Sequence, residues 1–163
     1  MFFTLAGEKQ DKTKLMQNDS ILVLLADDDE DDRLFFIAAL EELKIKTIVE
    51  TVNDGAELIC RLNQKNLKLP HVLFLDLNMP YKNGIECLCE IKKNEHLKNM
   101  AVAIFSTSAS EKEIEETFVK GANVYIKKPT EFSKLKKVLS NVITTQWQYQ
   151  TSDLNRANFL MSL

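Results

Sequence analysis

Four uninterrupted apolar runs constrain the fold of this chain more than any other feature. They cover residues 21–26, 72–75, 101–105 and 124–126. A short run without polar alternation is typical of a strand that is buried on both faces, as in a parallel sheet. Residues 46–52 are rich in β-branched side chains and predict one further strand, between the first and second runs.

Segments with helical spacing separate these strands. Apolar residues recur at helical intervals from Leu34 to Leu43, and similar patterns follow each later strand. Five strands that alternate with five helices predict a parallel sheet covered by helices on both faces. Because crossovers in such sheets are right-handed, the carboxyl ends of all strands meet at one edge, where ligands bind.

The residues predicted at that edge suit phosphoryl chemistry. Asp27 and Asp28 end the first run, Asp76 follows the run at 72–75, Ser106 follows the next, and Lys128 lies just after the last. Two carboxylates 4 Å apart repel each other by about 4 kcal/mol at an effective dielectric constant of 20, so a cation such as Mg²⁺ is expected. A carboxylate can attack phosphorus to form an aspartyl phosphate, which a metal, a lysine and a hydroxyl stabilise.

These stretches resemble the receiver domains of response regulators over residues 20–144. The resemblance rests on 21–29, on 72–80 with Gly84, on 103–108 and on 125–129, in that order. It implies a flavodoxin-like, doubly wound α/β fold, in which a five-stranded parallel sheet of order 2-1-3-4-5 packs against five helices. Residues 1–19 are then interpreted as a flexible N-terminal arm and residues 145–163 as a C-terminal extension.

The resemblance also implies the acidic site. Asp76 is similar to the family's phosphoacceptor, and Asp28 to the direct Mg²⁺ ligand. Asp27 would bind the ion directly or through water, and the backbone carbonyl of Asn78 would be a further ligand. Since Asp29 extends the acidic pair, the register could shift by one residue, and Arg33 fixes it at the family's usual interval. Capping of a helix N-terminus is sufficient to explain the remaining acids of the run, up to Asp32.

A second group of residues resembles the family's switch. Ser106 corresponds to the switch hydroxyl, with Thr107 as the alternative, and Lys128 to the lysine that contacts the phosphoryl group. Tyr125 resembles the aromatic residue whose rotamer responds to phosphorylation. The resemblance further implies a cis peptide bond between Lys128 and Pro129.

Composition narrows the functional classes. The net charge of -3 and the pI of about 5.5 argue against nucleic acid as the main partner. The opening residues make a poor signal peptide, and no apolar run is long enough to span a bilayer. Three cysteines without metal or redox spacing suit a reducing compartment. A cytoplasmic protein without membrane contact is therefore predicted.

The predicted function is that of a single-domain response regulator. It would take a phosphoryl group from a sensor histidine kinase or phosphotransfer protein and signal to a downstream protein by contact. It would not be an enzyme, apart from Mg²⁺-dependent autophosphorylation and autodephosphorylation. A homodimer interface is one alternative for residues 145–163; packing on the domain and the start of a longer segment are the others.

Two other functions compete with this prediction. A phosphorylation-independent binding module would keep the fold and lose the site residues, yet all of them are present. A haloacid-dehalogenase-type phosphatase needs a second Asp two residues after its nucleophile, where this chain has Asn78.

Overall fold

The computed structural model describes residues 19–149 and 159–161. The N-terminal arm predicted for residues 1–19 lies outside them except for Asp19, and so does most of the C-terminal extension. Within the described ranges, no helix is long and apolar enough to cross a membrane.

Strands and helices alternate along the described chain as predicted. The strands are β1 (Ile21–Ala26), β2 (Thr47–Val52), β3 (Val72–Leu75), β4 (Ala101–Ser106), β5 (Val124–Lys127) and β6 (Leu160–Met161). The helices are α1 (Glu30–Glu42), α2 (Gly55–Leu62), α3 (Gly84–Lys93), α4 (Glu111–Val119) and α5 (Phe132–Tyr149). The sheet is parallel with the order β2-β1-β3-β4-β5-β6, which confirms the predicted order for the first five strands.

The central strands separate two apolar layers. Alternate residues of β1 point to opposite faces: Val23 and Leu25 pack with α1 and α5, whereas Leu24 and Ala26 pack with α2, α3 and α4. Every residue of β3 and β4 is buried, because helices cover both faces of these strands. This burial on both faces is the physical reason for the uninterrupted apolar runs.

Capped helix N-termini fix the loops at the carboxyl edge of the sheet. Asp29, Asp54, Asn83 and Ser110 cap α1 to α4, and each side chain accepts a hydrogen bond from the backbone N–H three residues on. At α3, the side chain of Glu86 also accepts from the Asn83 N–H and completes a capping box.

Gly84 allows α3 to begin directly against the end of β3. A Cβ atom at this position would lie 2.2 Å from the carbonyl oxygen of Asp76. The N–H of Gly84 donates to the carbonyl of Leu77 over 2.9 Å, and this hydrogen bond closes the loop between the two residues. The conformation of the loop that follows Asp76 therefore requires a residue without a side chain at position 84.

The isomer of one peptide bond differs from the sequence-based expectation. The peptide bond between Lys128 and Pro129 is trans, so the predicted cis bond is wrong. Trans is the lower-energy isomer of an X–Pro bond by about 0.5–1 kcal/mol, and in this isomer Lys128 already reaches the acidic residues described below. Helix α5 extends to Tyr149, five residues beyond the domain limit of residue 144, which stays a prediction.

The short strand β6 lies outside the predicted five strands. It pairs in parallel with the edge of β5, where Leu160 lies opposite Tyr125 and Met161 opposite Ile126. The preceding Phe159 is completely buried. A two-residue strand carries too few side chains to produce a period, so no hydrophobic pattern marks it.

Candidate functional site

The ends of β1 and β3 bring three carboxylates together. Asp27 and Asp28 follow β1, and Asp76 follows β3, whose end is joined to β1 by a 3.0 Å hydrogen bond from the Asp76 N–H to the Ala26 carbonyl. Ligand oxygens of the three side chains lie within 4.8 Å of one another. Asp27 is fully buried, Asp76 is 5 % exposed and Asp28 is exposed, so the group opens to solvent on one side.

The Lys128 ammonium group lies among these acids. Its Nζ is 2.8 Å from Asp27 Oδ2 and 3.4 Å from Asp76 Oδ2. A third acid, Asp32 in the first turn of α1, lies 2.9 Å from the same nitrogen. The backbone of Lys128 is held by its N–H, which donates to the Ser106 carbonyl over 2.8 Å. A fixed positive charge from the end of β5 thus offsets part of the negative charge.

Burial changes the acidity of the two enclosed carboxyls. It raises the pKa of Asp76 to about 6, because the positive charge of Lys128 only partly opposes desolvation and the charge of Asp27 adds to it. Burial likewise raises the pKa of Asp27 despite its contact with Lys128. Burial works against the charge of Lys128 itself, but hydrogen bonds to Asp27 and Asp32 raise its pKa above the ordinary value.

Backbone contacts orient the two buried carboxylates. Asp27 Oδ1 accepts from the Asp29 N–H over 3.0 Å, and Asp76 Oδ1 accepts from the Asn78 N–H over 3.3 Å. The guanidinium group of Arg33 donates to the Asp27 carbonyl over 2.8 Å and ties α1 to the end of β1. In both acids the Oδ2 atom is left to face Lys128 and the interior of the site.

The donor set fits a hard divalent cation. Apart from its ion pair with Lys128, the buried Asp27 Oδ2 accepts no hydrogen bond from the part of the chain that the structure describes. The group of possible ligands consists of three carboxylates that lie close together, without a histidine or a thiol. Groups of oxygen ligands of this kind suit ions such as Mg²⁺. The residues present therefore match the metal expected from the sequence.

The predicted switch residues lie along β4 and β5. Ser106 is fully buried and its Oγ accepts from the Ser108 N–H over 3.3 Å, whereas the alternative, Thr107, is exposed. Tyr125 is fully buried, and its hydroxyl donates to the Ser108 carbonyl over 2.8 Å. Ser108 thus contacts both residues predicted to form the switch.

Sequence reasoning missed one member of the site, Asp32. Helix capping, the interpretation of the acid run, is correct for Asp29, the N-cap of α1. Asp32 instead contacts Lys128, although it lies 96 residues away in the chain. Its place in the first turn of a helix whose N-terminus meets the carboxyl edge is the signal that could have identified it.

Comparisons with known proteins agree with this geometry. Residues 23–140 match the family model of the response regulator receiver domain. The response regulator Rcp1 of Synechocystis is 32% identical over 109 residues, which are 63% of this chain and 74% of that protein. The probable methanogenesis regulatory protein FilR2 of Methanothrix harundinacea is 28% identical over 76% of this chain and 82% of its own length.

Solved structures show the same fold. The Mn²⁺-bound form of Rcp1 is similar with a TM-score of 0.69 and 27% identity, over 83% of this chain and 99% of that one. The phosphorylated cyanobacterial phytochrome response regulator RcpA is similar with a TM-score of 0.71 and 30% identity, over 82% and 98%.

Proposed function

This chain belongs to the response regulator receiver domain family, and on that basis we propose that Asp76 accepts a phosphoryl group from a phosphohistidine in a Mg²⁺-dependent reaction. One observation carries the proposal. The Asp76 carboxylate is buried, and its oxygens lie close enough to those of Asp27 and Asp28 for the three side chains to bind one metal ion. The Nζ atom of Lys128 lies 3.4 Å from Asp76 Oδ2.

The Asp76 carboxylate is suited to act as the nucleophile. With a pKa of about 6 it is still mainly ionised at pH 7, while it is more basic than an ordinary aspartate. Its oxygen would form a bond to phosphorus as the P–N bond of the donor breaks. The bonding electron pair leaves with the imidazole of the donor, which takes up a proton. The product is an aspartyl phosphate.

The neighbouring residues would stabilise the transferring group. Asp27, Asp28 and Asp76, together with the carbonyl of Asn78, would hold Mg²⁺, which when bound supplies positive charge to the phosphoryl oxygens. Lys128 would contact another phosphoryl oxygen, and the hydroxyl of Ser106 would donate a hydrogen bond to the phosphoryl group. The Mn²⁺ in one Rcp1 structure and the phosphorylation of RcpA support this arrangement by similarity.

The same proposal includes the partners. The donor would be a sensor histidine kinase or a phosphotransfer protein, and the output would be contact with a downstream protein. Phosphorylation would draw the Ser106 hydroxyl toward the phosphoryl group and alter the position of Tyr125. The added charge of about -1.5 to -2 is large enough to reorganise such neighbours.

A labelling experiment tests the acceptor. Wild-type protein incubated with Mg²⁺ and radiolabelled acetyl phosphate should form an acid-stable, base-labile acyl phosphate, and Asp76→Asn should not. Asp31→Asn is the matched control, because Asp31 is an exposed acid of the same acidic run. Equal labelling of the Asp76→Asn variant and the wild type would show that Asp76 is not the acceptor. Chelation of Mg²⁺ by EDTA should abolish labelling of the wild type.

A further inference from the structure

Residues near the C-terminus of the chain cover the edge of strand β5 that faces away from β4. Residues 159–161, here called the C-terminal strap, contribute β6, which pairs with Tyr125 and Ile126. Phe159 is completely buried beside two other aromatic rings: its ring centroid lies 5.2 Å from that of Phe118 and 6.3 Å from that of Tyr125. Leu160, the next residue, is 36 % exposed, so Phe159 is the anchor of the strap.

A continuous series of contacts connects the strap to the acidic site. The ring of Tyr125 contacts Phe159, and its hydroxyl donates to the carbonyl of Ser108. The Ser108 N–H donates to the Ser106 Oγ, and the Ser106 carbonyl accepts from the backbone N–H of Lys128. Ser108 therefore holds both the switch hydroxyl and the ring that contacts the strap.

We infer that the C-terminal strap occupies the β5 edge in the unphosphorylated protein and leaves it when Asp76 is phosphorylated. This inference rests on the function proposed above. A phosphoryl group on Asp76 recruits the Ser106 hydroxyl as a hydrogen-bond donor, so the Oγ turns away from the Ser108 N–H. Residue 108 then shifts, the Tyr125 hydroxyl loses its acceptor, and the ring that contacts Phe159 moves.

Release of the strap exposes a docking surface of defined chemistry. The freed edge of β5 presents unpaired backbone N–H and C=O groups, next to the pocket vacated by Phe159. Such an edge pairs with an extended peptide strand, and the pocket accepts one large apolar side chain of that strand. The phosphorylated form is thus able to bind an extended segment of a partner protein, for which the strap is the internal competitor.

Coupling between two sites is reciprocal, so weakening the strap should favour phosphorylation. Phe159→Ala removes the anchor, whereas Leu160→Ala changes a more exposed side chain of the same strap and is the matched control. Hydrogen exchange of the C-terminal peptide, followed by mass spectrometry in full-length protein, reports strap release. Labelling with acetyl phosphate and Mg²⁺, measured on the same samples, reports phosphorylation.

In the wild type, exchange at residues 159–161 should become faster by about fivefold or more on phosphorylation, the lower end for coupled sites. It should stay unchanged in Asp76→Asn. Phe159→Ala should exchange rapidly without the phosphodonor and reach a higher labelled fraction at limiting donor, and Leu160→Ala should behave as the wild type. Full labelling of the wild type without faster exchange would overturn the inference alone. Equal labelled fractions in Phe159→Ala and Leu160→Ala would do the same, whereas no labelling of any variant would overturn the proposed function as well.

Discussion

The residues of the site include two buried carboxylates, those of Asp27 and Asp76, and the ammonium group of Lys128. Asp27 and Asp76 are enclosed, and both have raised pKa values because desolvation outweighs their attraction to Lys128. Such residues cost folding free energy when no metal is bound, since the unfolded chain keeps both carboxylates in water. The position of these acids is therefore explained by chemistry and not by stability.

The pH dependence of stability follows from the pKa of Asp76. In EDTA, the folded protein holds a proton on Asp76 below about pH 6, whereas the unfolded chain binds it only near the ordinary value of 3.8. The folded state thus binds more protons in this window, and the free energy of unfolding should fall as pH rises from about 4 to 6. Above that range Asp76→Asn should be more stable than the wild type by about 1–3 kcal/mol.

Urea denaturation in EDTA at pH 5 and pH 7.5 measures this difference. The stabilisation by Asp76→Asn should be smaller at pH 5, because the wild-type carboxyl is then largely protonated in the folded state. Asp31→Asn serves as the comparison for loss of an exposed charge. A stability gain for Asp76→Asn that is the same at both pH values would contradict the explanation by titration of Asp76.

Among the secondary structure elements, the close approach of α3 to the end of β3 shapes the site. Gly84 begins α3 and lies against the backbone of Asp76 and Leu77. Gly121 has a different role, because it follows α4 with a φ of +95°, and the atoms nearest to an added Cβ would be those of the flexible Lys92 side chain, 3.6 Å or more away. Gly84 is required because a side chain would collide with neighbouring backbone, and Gly121 because its backbone is left-handed.

Substitution of these two glycines by alanine should separate the two demands. Gly84→Ala places a Cβ on backbone that cannot move without displacing Asp76, and we expect a loss of about 3 kcal/mol of unfolding free energy. Gly121→Ala is strained only by its left-handed backbone and should cost about 1–2 kcal/mol. Chemical denaturation of both variants gives the comparison. The steric argument fails if Gly84→Ala proves no less stable than Gly121→Ala.

Across the whole domain, the acidic site joins parts of the chain that are far apart in sequence. Its residues come from the ends of β1, β3 and β5 and from the first turn of α1. A cation bound there interacts with the folded state and not with the unfolded chain, in which these residues are separated. Binding of a divalent metal should therefore stabilise the entire domain.

The expected stabilisation by Mg²⁺ is about 2.7 kcal/mol when its concentration is a hundred times the dissociation constant. Thermal unfolding with and without MgCl₂, with NaCl at equal ionic strength as a control, measures this gain. Asp28→Asn should lose most of the gain, and Asp31→Asn should keep it, because only Asp28 belongs to the carboxylate group. An undiminished gain in Asp28→Asn would place the metal elsewhere.

The apolar runs and the residues that follow them were sufficient to predict the sheet and the composition of its carboxyl edge. Uninterrupted runs mark strands buried on both faces, and parallel crossovers gather the strand ends. The amino-acid sequence alone therefore places Asp27, Asp28, Asp76 and Lys128 together. Their roles as acceptor, metal ligands and phosphoryl contact stay predictions that the labelling and stability experiments test.

Three features became evident only in three dimensions: the contact of Asp32 with Lys128, the trans bond before Pro129 and the pairing of Leu160 and Met161 with the β5 edge. Each depends on the rotamer of one side chain, the isomer of one bond or the pairing of two residues with a distant strand. Hydrophobic periodicity describes the average environment of a whole element, and for that reason it carries no information on such single, long-range choices.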